Sequence, residues 1–273
     1  MKVRCLVDNA VLSGSRFWGE HGLAFWVETD AGCVLFDTGQ SGTVLLHNLE
    51  VAHMDPARIS ALALSHAHRD HTGGLDALLP RVGRLPLYAH PEVFRERFSR
   101  HNSELHSVGL KMTCAELQDH VELRLGRESQ EILPGVFTTG EILTRVEPEG
   151  GSEHLFVLER GQLIPDHYTD DMSLVLQVPG GLVLLCGCCH AGLLNTLHQV
   201  HSVFRQPVVA VVGGTHLVQP TADQMHHIVQ TLRNYGPPRL YPNHCTGRSA
   251  QIALAVAFGE RVAPCVAGAE LVF

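Results

Sequence analysis

The segment LALSHAHRDHTGGL, residues 62–75, brings four side chains of metal-ligand type into six consecutive positions: His66, His68, Asp70 and His71. An apolar run precedes them and a glycine pair follows. Because side chains alternate along a strand, His66 and His68 would point to one side as the strand leaves its sheet. No regular helix places all four on one face, whereas a strand that breaks into a glycine-containing turn can do so. Since zinc accepts imidazole nitrogen and carboxylate oxygen, the segment predicts two neighbouring metal half-sites.

Composition and charge narrow the class of protein. Apolar residues make up 45% of the 273 residues and charged residues 18%, so the chain can build a sizeable core. A net charge of −8 and a pI of about 6.1 argue against binding to nucleic acid or to an anionic membrane. No apolar run approaches the roughly 18 residues of a membrane span, and MKVRCLVDNA lacks the apolar region of a signal peptide.

The cysteines also bear on the compartment. The cluster CGCCH (186–190) is typical of metal sites or reduced thiols in the cytoplasm rather than of scaffold disulfides. We therefore expect a cytoplasmic protein that acts on a small molecule, with neither nucleic acid nor membrane as a partner. No motif indicates an oligomeric state.

Strand-like and helix-like segments alternate in both halves of the chain. We expect strands at 2–8, 22–29, 32–37, 59–65, 85–90, 173–178, 181–187, 207–214 and 265–273, and helices at 40–52, 91–101, 191–203, 221–234 and 249–259. In the helix over 91–101, Pro91 would occupy the first helical position. This order predicts two sheets with helices outside them. No linker marks a boundary, so we expect one domain, 1–273, with a variable substrate region around 91–170.

Several motifs resemble one known family. SHAHRDHTGGL resembles the H-x-H-x-D-H signature of the metallo-β-lactamase superfamily, and VLFDTG (34–39) its upstream strand ending in Asp-x-Gly. GCCHAG (187–192) and YPNHCTG (241–247) are similar to later metal-ligand segments of one branch, the 7,8-dihydropterin-6-methyl-4-(β-D-ribofuranosyl)-aminobenzene-5′-phosphate synthase-like metal-dependent hydrolases. HGLAFWVET, YAHPEVF and GGTHL extend the resemblance over nearly the whole chain. It implies an α/β (α+β) fold, a four-layer αββα sandwich.

The resemblance also implies a ligand set for two metal ions. The first metal would be bound by His66, His68 and His190, and the second by Asp70, His71 and His244. Asp70 would in addition orient the attacking hydroxide. His190 and His244 each follow a strand-like segment, as the first cluster does, which independently supports both as ligands.

The superfamily usually adds a carboxylate that bridges the two metals, from a Gly-Asp at a strand end. The comparable segment LVLLCGCCH contains no aspartate. Cys188 would take that place as a thiolate, or hydroxide alone would bridge the metals. The other interpretation is that Cys188 is a small buried residue near the site.

Residues around the ligands have weaker signals. Asp37 is expected to orient a ligand loop by hydrogen bonds rather than to bind metal, and the alternative is a plain turn aspartate. His216 is a candidate to face the substrate or to support a ligand, and the alternative is a structural role. His90 is a weaker candidate for the pocket, and Thr246 and Arg248 are candidates to meet an anionic substrate.

The function implied is a dinuclear metal-dependent hydrolase. Two divalent ions, zinc first and iron, manganese or nickel as alternatives, would activate a hydroxide that attacks an ester, lactone, amide or phosphoester. The alternatives are a synthase-type transformation of a pterin or aminobenzene ribosyl phosphate on the same metals, and a non-catalytic metal-binding protein.

Overall fold

The computed structural model describes residues 1–102 and 104–273. Strands and helices are numbered here along the chain. The first sheet consists of β1 (Lys2–Val7), β2 (Ala24–Thr29), β3 (Gly32–Phe36), β4 (Ile59–Ala63), β5 (Pro86–Ala89), β8 (Glu122–Leu125) and β17 (Glu270–Val272). Its strand order is β17-β1-β2-β3-β4-β5-β8, and β3, β4, β5 and β8 are parallel neighbours.

The second sheet consists of β9 (Glu131–Leu133), β10 (Val136–Thr138), β13 (Ser173–Val178), β14 (Gly181–Cys186), β15 (Val208–Gly213) and β16 (Arg239–Pro242). Its order is β16-β15-β14-β13-β10-β9, with β14, β15 and β16 parallel. A third, smaller sheet has the order β12-β11-β6-β7 and contains β6 (Arg97–His101), β7 (Glu104–Ser107), β11 (Leu155–Glu159) and β12 (Gln162–Pro165).

Seven α-helices lie among the described residues: α1 (Gly42–Val51), α2 (Arg69–Thr72), α3 (Leu75–Leu78), α4 (Cys114–His120), α5 (Leu193–Phe204), α6 (Ala222–Asn234) and α7 (Arg248–Phe258). Short 3-10 turns occupy Pro56–Arg58, Leu79–Arg81, Pro91–Phe94, His244–Thr246 and Gly259–Arg261. In the part of the chain that the structure describes, no helix is both long and apolar enough to cross a membrane.

The two large sheets pack face to face between helices. Side chains alternate between the two faces of β4. Ala61 and Ala63 therefore lie in the layer between the sheets, whereas Leu62 packs with residues of α1 and α3. The layer between the sheets also contains Phe25 and Leu185. A second outer layer joins α5, α6 and α7 to the other face of the second sheet. Each fully buried leucine contributes about 1.5–3 kcal/mol, so these three layers hold the fold together. The expected four-layer αββα sandwich is confirmed.

The helix expected over 91–101 is wrong. Only Pro91–Phe94 forms a helical turn, and the chain then continues as β6. The reason is tertiary: β6 pairs antiparallel with β11, and the side chain of Arg97 is buried against two aspartates. Residues 91–170 supply elements to all three sheets. Their helix α4 begins with a Thr113–Glu116 capping box, a signal that was present in the sequence.

Candidate metal centre

The candidate site lies where strands of both large sheets end. In the first sheet, β3 and β4 run parallel, so the residues that follow them, Asp37 and Ser65–His66, meet at one edge. In the second sheet, β14, β15 and β16 also run parallel and end side by side. The segments after these strands carry Cys188, His190, His216 and His244. Each large sheet therefore contributes its carboxyl edge to one common site.

A first cluster contains three imidazoles. His66 Nε2 lies 2.9 Å from His68 Nδ1. One nitrogen each of His66, His68 and His190 lie within 4.8 Å of one another, and all three residues are buried. The Nε2 atom of His190 is buried without a hydrogen-bond partner among the described residues. A buried, unpartnered nitrogen is costly unless something positive meets it, and a metal ion would do so.

A second cluster contains two imidazoles and a carboxylate. Asp70 Oδ2 lies 3.6 Å from His71 Nε2 and 3.4 Å from His244 Nε2, and these two nitrogens are 3.2 Å apart. Ligand atoms held at about 2.0–2.1 Å around a tetrahedral zinc ion would be separated by about 3.3–3.4 Å. The spacing of this cluster therefore fits a metal ion.

Hydrogen bonds fix which nitrogen of His66 and of His71 faces the clusters. Ser65 Oγ donates its only proton to Asp37 Oδ2 at 2.7 Å, so at 2.8 Å it accepts a hydrogen bond from His66 Nδ1. Asp37 Oδ2 also lies 2.7 Å from His71 Nδ1, whose proton it accepts. The Nε2 atoms of His66 and His71 consequently face the clusters. Asp37 is buried, has a φ of 60°, and holds the Ser65 amide at 2.7 Å through Oδ1.

The two histidines from the second half of the chain are also oriented by contacts of their Nδ1 atoms. His190 Nδ1 donates to the carbonyl oxygen of Gly150 at 3.2 Å, and His244 Nδ1 lies 3.0 Å from Asn9 Oδ1. In addition, the ring of Tyr168 stacks on His190 with centroids 4.3 Å apart. These contacts orient the Nε2 atoms of both imidazoles into the clusters, as outer partners of metal ligands do.

Burial keeps most of these imidazoles neutral. It lowers the pKa of His66 and of His190 well below the usual value, and lowers that of His68 and of His244 to about 4. Neutral imidazole is the form that binds metal.

His71 and Asp70 form the charged part of the site. Burial alone would lower the pKa of His71, but the carboxylates of Asp70 and Asp37 outweigh it and raise that pKa to about 9. Burial likewise opposes ionisation of Asp70, yet His71 and His244 hold its pKa well below the usual value. The second cluster therefore contains an ionised carboxylate at neutral pH.

A buried ion network lies behind the first cluster. Arg97 donates from Nε to Asp166 Oδ2 at 2.8 Å and from Nη2 to Asp170 Oδ1 at 2.6 Å. The other oxygen of Asp170 accepts the backbone N–H of Ala67, which stands between His66 and His68, at 2.9 Å. Arg97 on β6 thus connects the third sheet to the ligand loop. No sequence motif identified Arg97 or Asp170.

Two further histidines, His216 and His21, lie near the clusters. His216 is partly buried, and its ring centroid is 4.4 Å from that of His190. His21 was missed from the sequence, although its Nε2 lies 3.3 Å from Asp70 Oδ2. The weaker candidates lie elsewhere: the imidazole of His90 contacts Glu141, the hydroxyl of Thr246 contacts Thr215, and Arg248 is exposed and lines neither cavity at the site.

One cavity lies over the clusters and a second lies beside it. The first, of about 520 Å³, lies over them and is lined on its outer side by the exposed side chains of Arg69, His101 and His106. The second, of about 470 Å³, lies beside it between the loop at Gly150 and the start of α5. His216 lines both. Either volume lies in the range of small-molecule binding sites.

Known proteins are similar to this chain in sequence and in fold. A Methanocaldococcus jannaschii protein named 7,8-dihydropterin-6-methyl-4-(beta-D-ribofuranosyl)-aminobenzene-5'-phosphate synthase is 28% identical over 271 residues, covering 95% of this chain and 92% of that protein. The crystal structure of Tm1679, a metal-dependent hydrolase of the β-lactamase superfamily, is similar with a TM-score of 0.85 and 27% identity, over 100% of this chain and 99% of that one.

A more distant structure shows the same fold. Zn²⁺-bound PqqB from Methylobacterium extorquens has a TM-score of 0.58 and 12% identity, with 100% of both chains covered. A family model described as the metallo-beta-lactamase superfamily matches residues 18–193. With more than half of its length matched, the chain belongs to the metallo-β-lactamase superfamily.

Proposed function

We propose that this protein is a dinuclear metal-dependent hydrolase of a small molecule. The first metal position would be formed by His66, His68 and His190, and the second by Asp70, His71 and His244. The observation that carries the proposal is the pair of ligand clusters, in which hydrogen bonds orient the imidazoles of His66, His71, His190 and His244 with one nitrogen inwards. A buried cluster that is this well oriented is typical of a metal site.

When bound, a pair of divalent ions supplies an activated water at neutral pH, whose pKa falls from 15.7 towards about 7, and polarises the bond to be cleaved. The protein's own groups position the reactants. Asp70 would hold the second ion and accept a hydrogen bond from the attacking water. His216, which lines both cavities, would contact the substrate. Asp37 would keep His71 in its orientation, since its carboxylate accepts the Nδ1 proton.

The cavity over the clusters favours a substrate with an anionic group. Arg69 lines it, is exposed, and has no ion pair among the described residues. His101 and His106 lie beside it on β6 and β7. An ester, lactone, amide or phosphoester with a negatively charged part would therefore be drawn to this mouth.

A synthase-type reaction is the second candidate. It is favoured by the 28% identity with the M. jannaschii protein named as a synthase, which extends over 95% of this chain. In that case the same cavity would take a pterin or an aminobenzene ribosyl phosphate. A purely metal-storing protein is disfavoured, because such a role does not need a cavity of about 520 Å³ over the ligands.

A metal and substrate assay tests the proposal. Protein purified without chelators should contain about two transition-metal ions per chain by elemental analysis, as a two-metal site requires. It should cleave at least one member of a panel of esters, lactones, phosphodiesters and reduced pterins, and chelation should abolish that cleavage. Fewer than one ion per chain, with no activity after addition of Zn²⁺ or Mn²⁺, would refute a dinuclear hydrolase.

Metal binding at the second position should depend on pH. Because the pKa of His71 is raised to about 9, the metal must displace a proton from this imidazole at neutral pH. Its apparent affinity should therefore rise by at least about tenfold per pH unit below that value. Titration against a chromophoric chelator at several pH values measures this.

The variant Asp37→Asn provides the matched comparison. Asparagine tolerates the left-handed backbone at this position, but it removes one of the two carboxylates that raise the pKa of His71. The part of the rise in affinity that comes from His71 should then end at a lower pH. An affinity that is independent of pH in both proteins would contradict the assigned role of His71.

A further inference from the structure

Two thiols face the candidate metal centre. Cys188 follows β14 and Cys245 follows His244, and both line the cavity of about 520 Å³ over the clusters. The other close cysteine contacts, Cys5 with Cys265 and Cys186 with Cys189, involve residues of the apolar core. The Cys188–Cys245 pair differs because imidazoles surround it.

Cys188 lies next to both clusters. Its Sγ is 3.2 Å from His71 Nε2 in the second cluster. It is also within 4.8 Å of a nitrogen of His66 in the first cluster. A sulfur at about 2.3 Å and a nitrogen at about 2.0–2.1 Å from one zinc ion would lie about 3.5 Å apart. Cys188 is thus placed where one atom can reach both metal positions.

Cys245 is close to the second cluster. Its Sγ lies within 4.8 Å of Cys188 Sγ and of a nitrogen of His244. It accepts the backbone N–H of His216 at 3.3 Å. An N–H bond of this kind stabilises negative charge on sulfur, the form in which cysteine binds metal.

We infer that Cys188 and Cys245 supply sulfur ligands to the metal centre, with Cys188 between the two positions in place of a bridging carboxylate. Each thiol releases its proton to solvent when the metal binds. Because thiolates favour zinc over the harder Mn²⁺, these sulfurs select a thiophilic ion at the second position. The inference rests on the proposed metal centre and adds sulfur ligands to its imidazole and carboxylate set.

Cobalt substitution tests the sulfur ligands by spectroscopy. Metal-free protein is titrated with Co²⁺, and absorption is recorded from the near ultraviolet through the visible. Sulfur ligation should add a sulfur-to-cobalt charge-transfer band to the visible bands of bound cobalt. Cys188→Ala and Cys245→Ala should each lose part of this band, and the double variant all of it. Cys114→Ala, on α4 away from the centre, is the matched control and should keep the full band.

The outcomes separate this inference from the proposed function. Visible cobalt bands without a charge-transfer band would overturn the sulfur ligands and leave the dinuclear site standing. No bound cobalt at all would overturn both. In competition experiments, the wild-type protein should prefer Zn²⁺ to Mn²⁺ more strongly than the double variant does, because the imidazoles that remain in the variant still favour Zn²⁺.

A second measurement needs no variant. Zinc-loaded and metal-free protein are treated with iodoacetamide, and the alkylation of each cysteine is followed by mass spectrometry. Cys245, which is partly exposed and lines the cavity, should be alkylated in the metal-free protein and protected by zinc, since a coordinated sulfur is no longer a free nucleophile. Equal alkylation of Cys245 with and without zinc would overturn its role as a ligand.

Discussion

His190→Ala should remove the first metal position and reduce hydrolytic activity by at least about 100-fold. Even the loss of an outer partner of a metal ligand costs roughly 10–100-fold in affinity or activity, and His190 would be a ligand itself. It is the one imidazole of its cluster that comes from the second half of the chain, and its Nε2 has no other partner among the described residues. Elemental analysis should show about one metal ion fewer per chain than in the wild type, as expected for a lost half-site.

His226→Ala is the control for this substitution. His226 is exposed on α6, outside both cavities, so the same chemical change there should leave metal content and activity at the wild-type level. Circular dichroism of both variants shows whether the fold is kept. Full metal content in a folded His190→Ala protein would remove this residue from the ligand set.

Arg97→Ala should lower the free energy of unfolding of the metal-free protein by about 3–5 kcal/mol, the usual cost of removing one partner from a buried ion network. The side chain is almost completely buried, and the change would leave the carboxylates of Asp166 and Asp170 without their cation. Urea unfolding measures the effect, and equal unfolding free energies of Arg97→Ala and wild type would contradict the prediction. Arg100→Ala, an exposed change on the same strand, should cost less than about 1 kcal/mol.

The two aspartates of this network should differ in their effect on metal binding. Asp166→Ala and Asp170→Ala each remove one ion pair, but only Asp170 also holds the Ala67 amide between two candidate ligands. Asp170→Ala should therefore weaken metal binding at the first position more than Asp166→Ala does.

Much of the fold could be predicted because its signals are local. The hairpin of β13 and β14 and the helices α1, α5 and α6 appear within a few residues of their expected positions. The third sheet could not be predicted in this way. Its strand β6 pairs with β11, far along the chain, and the alternation of apolar residues in Arg97–His101 is weak. The fold of β6 is decided by long-range pairing, which overrides the helical spacing that follows Pro91.

The candidate site shows the same division. The four ligand-type residues of the 62–75 segment and the two later histidines do come together. Not all of the groups that orient these ligands could be identified from the sequence. Gly150 accepts the hydrogen bond of His190 through its backbone carbonyl, which does not depend on the type of side chain. Asn9 and His21 lie in a loop before β2, and only the packed structure brings them to His244 and Asp70.

The meeting of two sheet edges has a thermodynamic consequence. Each cluster takes two side chains from the first half of the chain and one from the second, so an ion bound there would join the halves across their packing surface. The unfolded chain does not form the clusters. At a free metal concentration 100 times the dissociation constant, each bound ion would therefore add about 2.7 kcal/mol to the free energy of unfolding. The same ions that activate water would then act as cross-links between the two halves. The fraction of folded protein in the cell would therefore depend on the concentration of available metal.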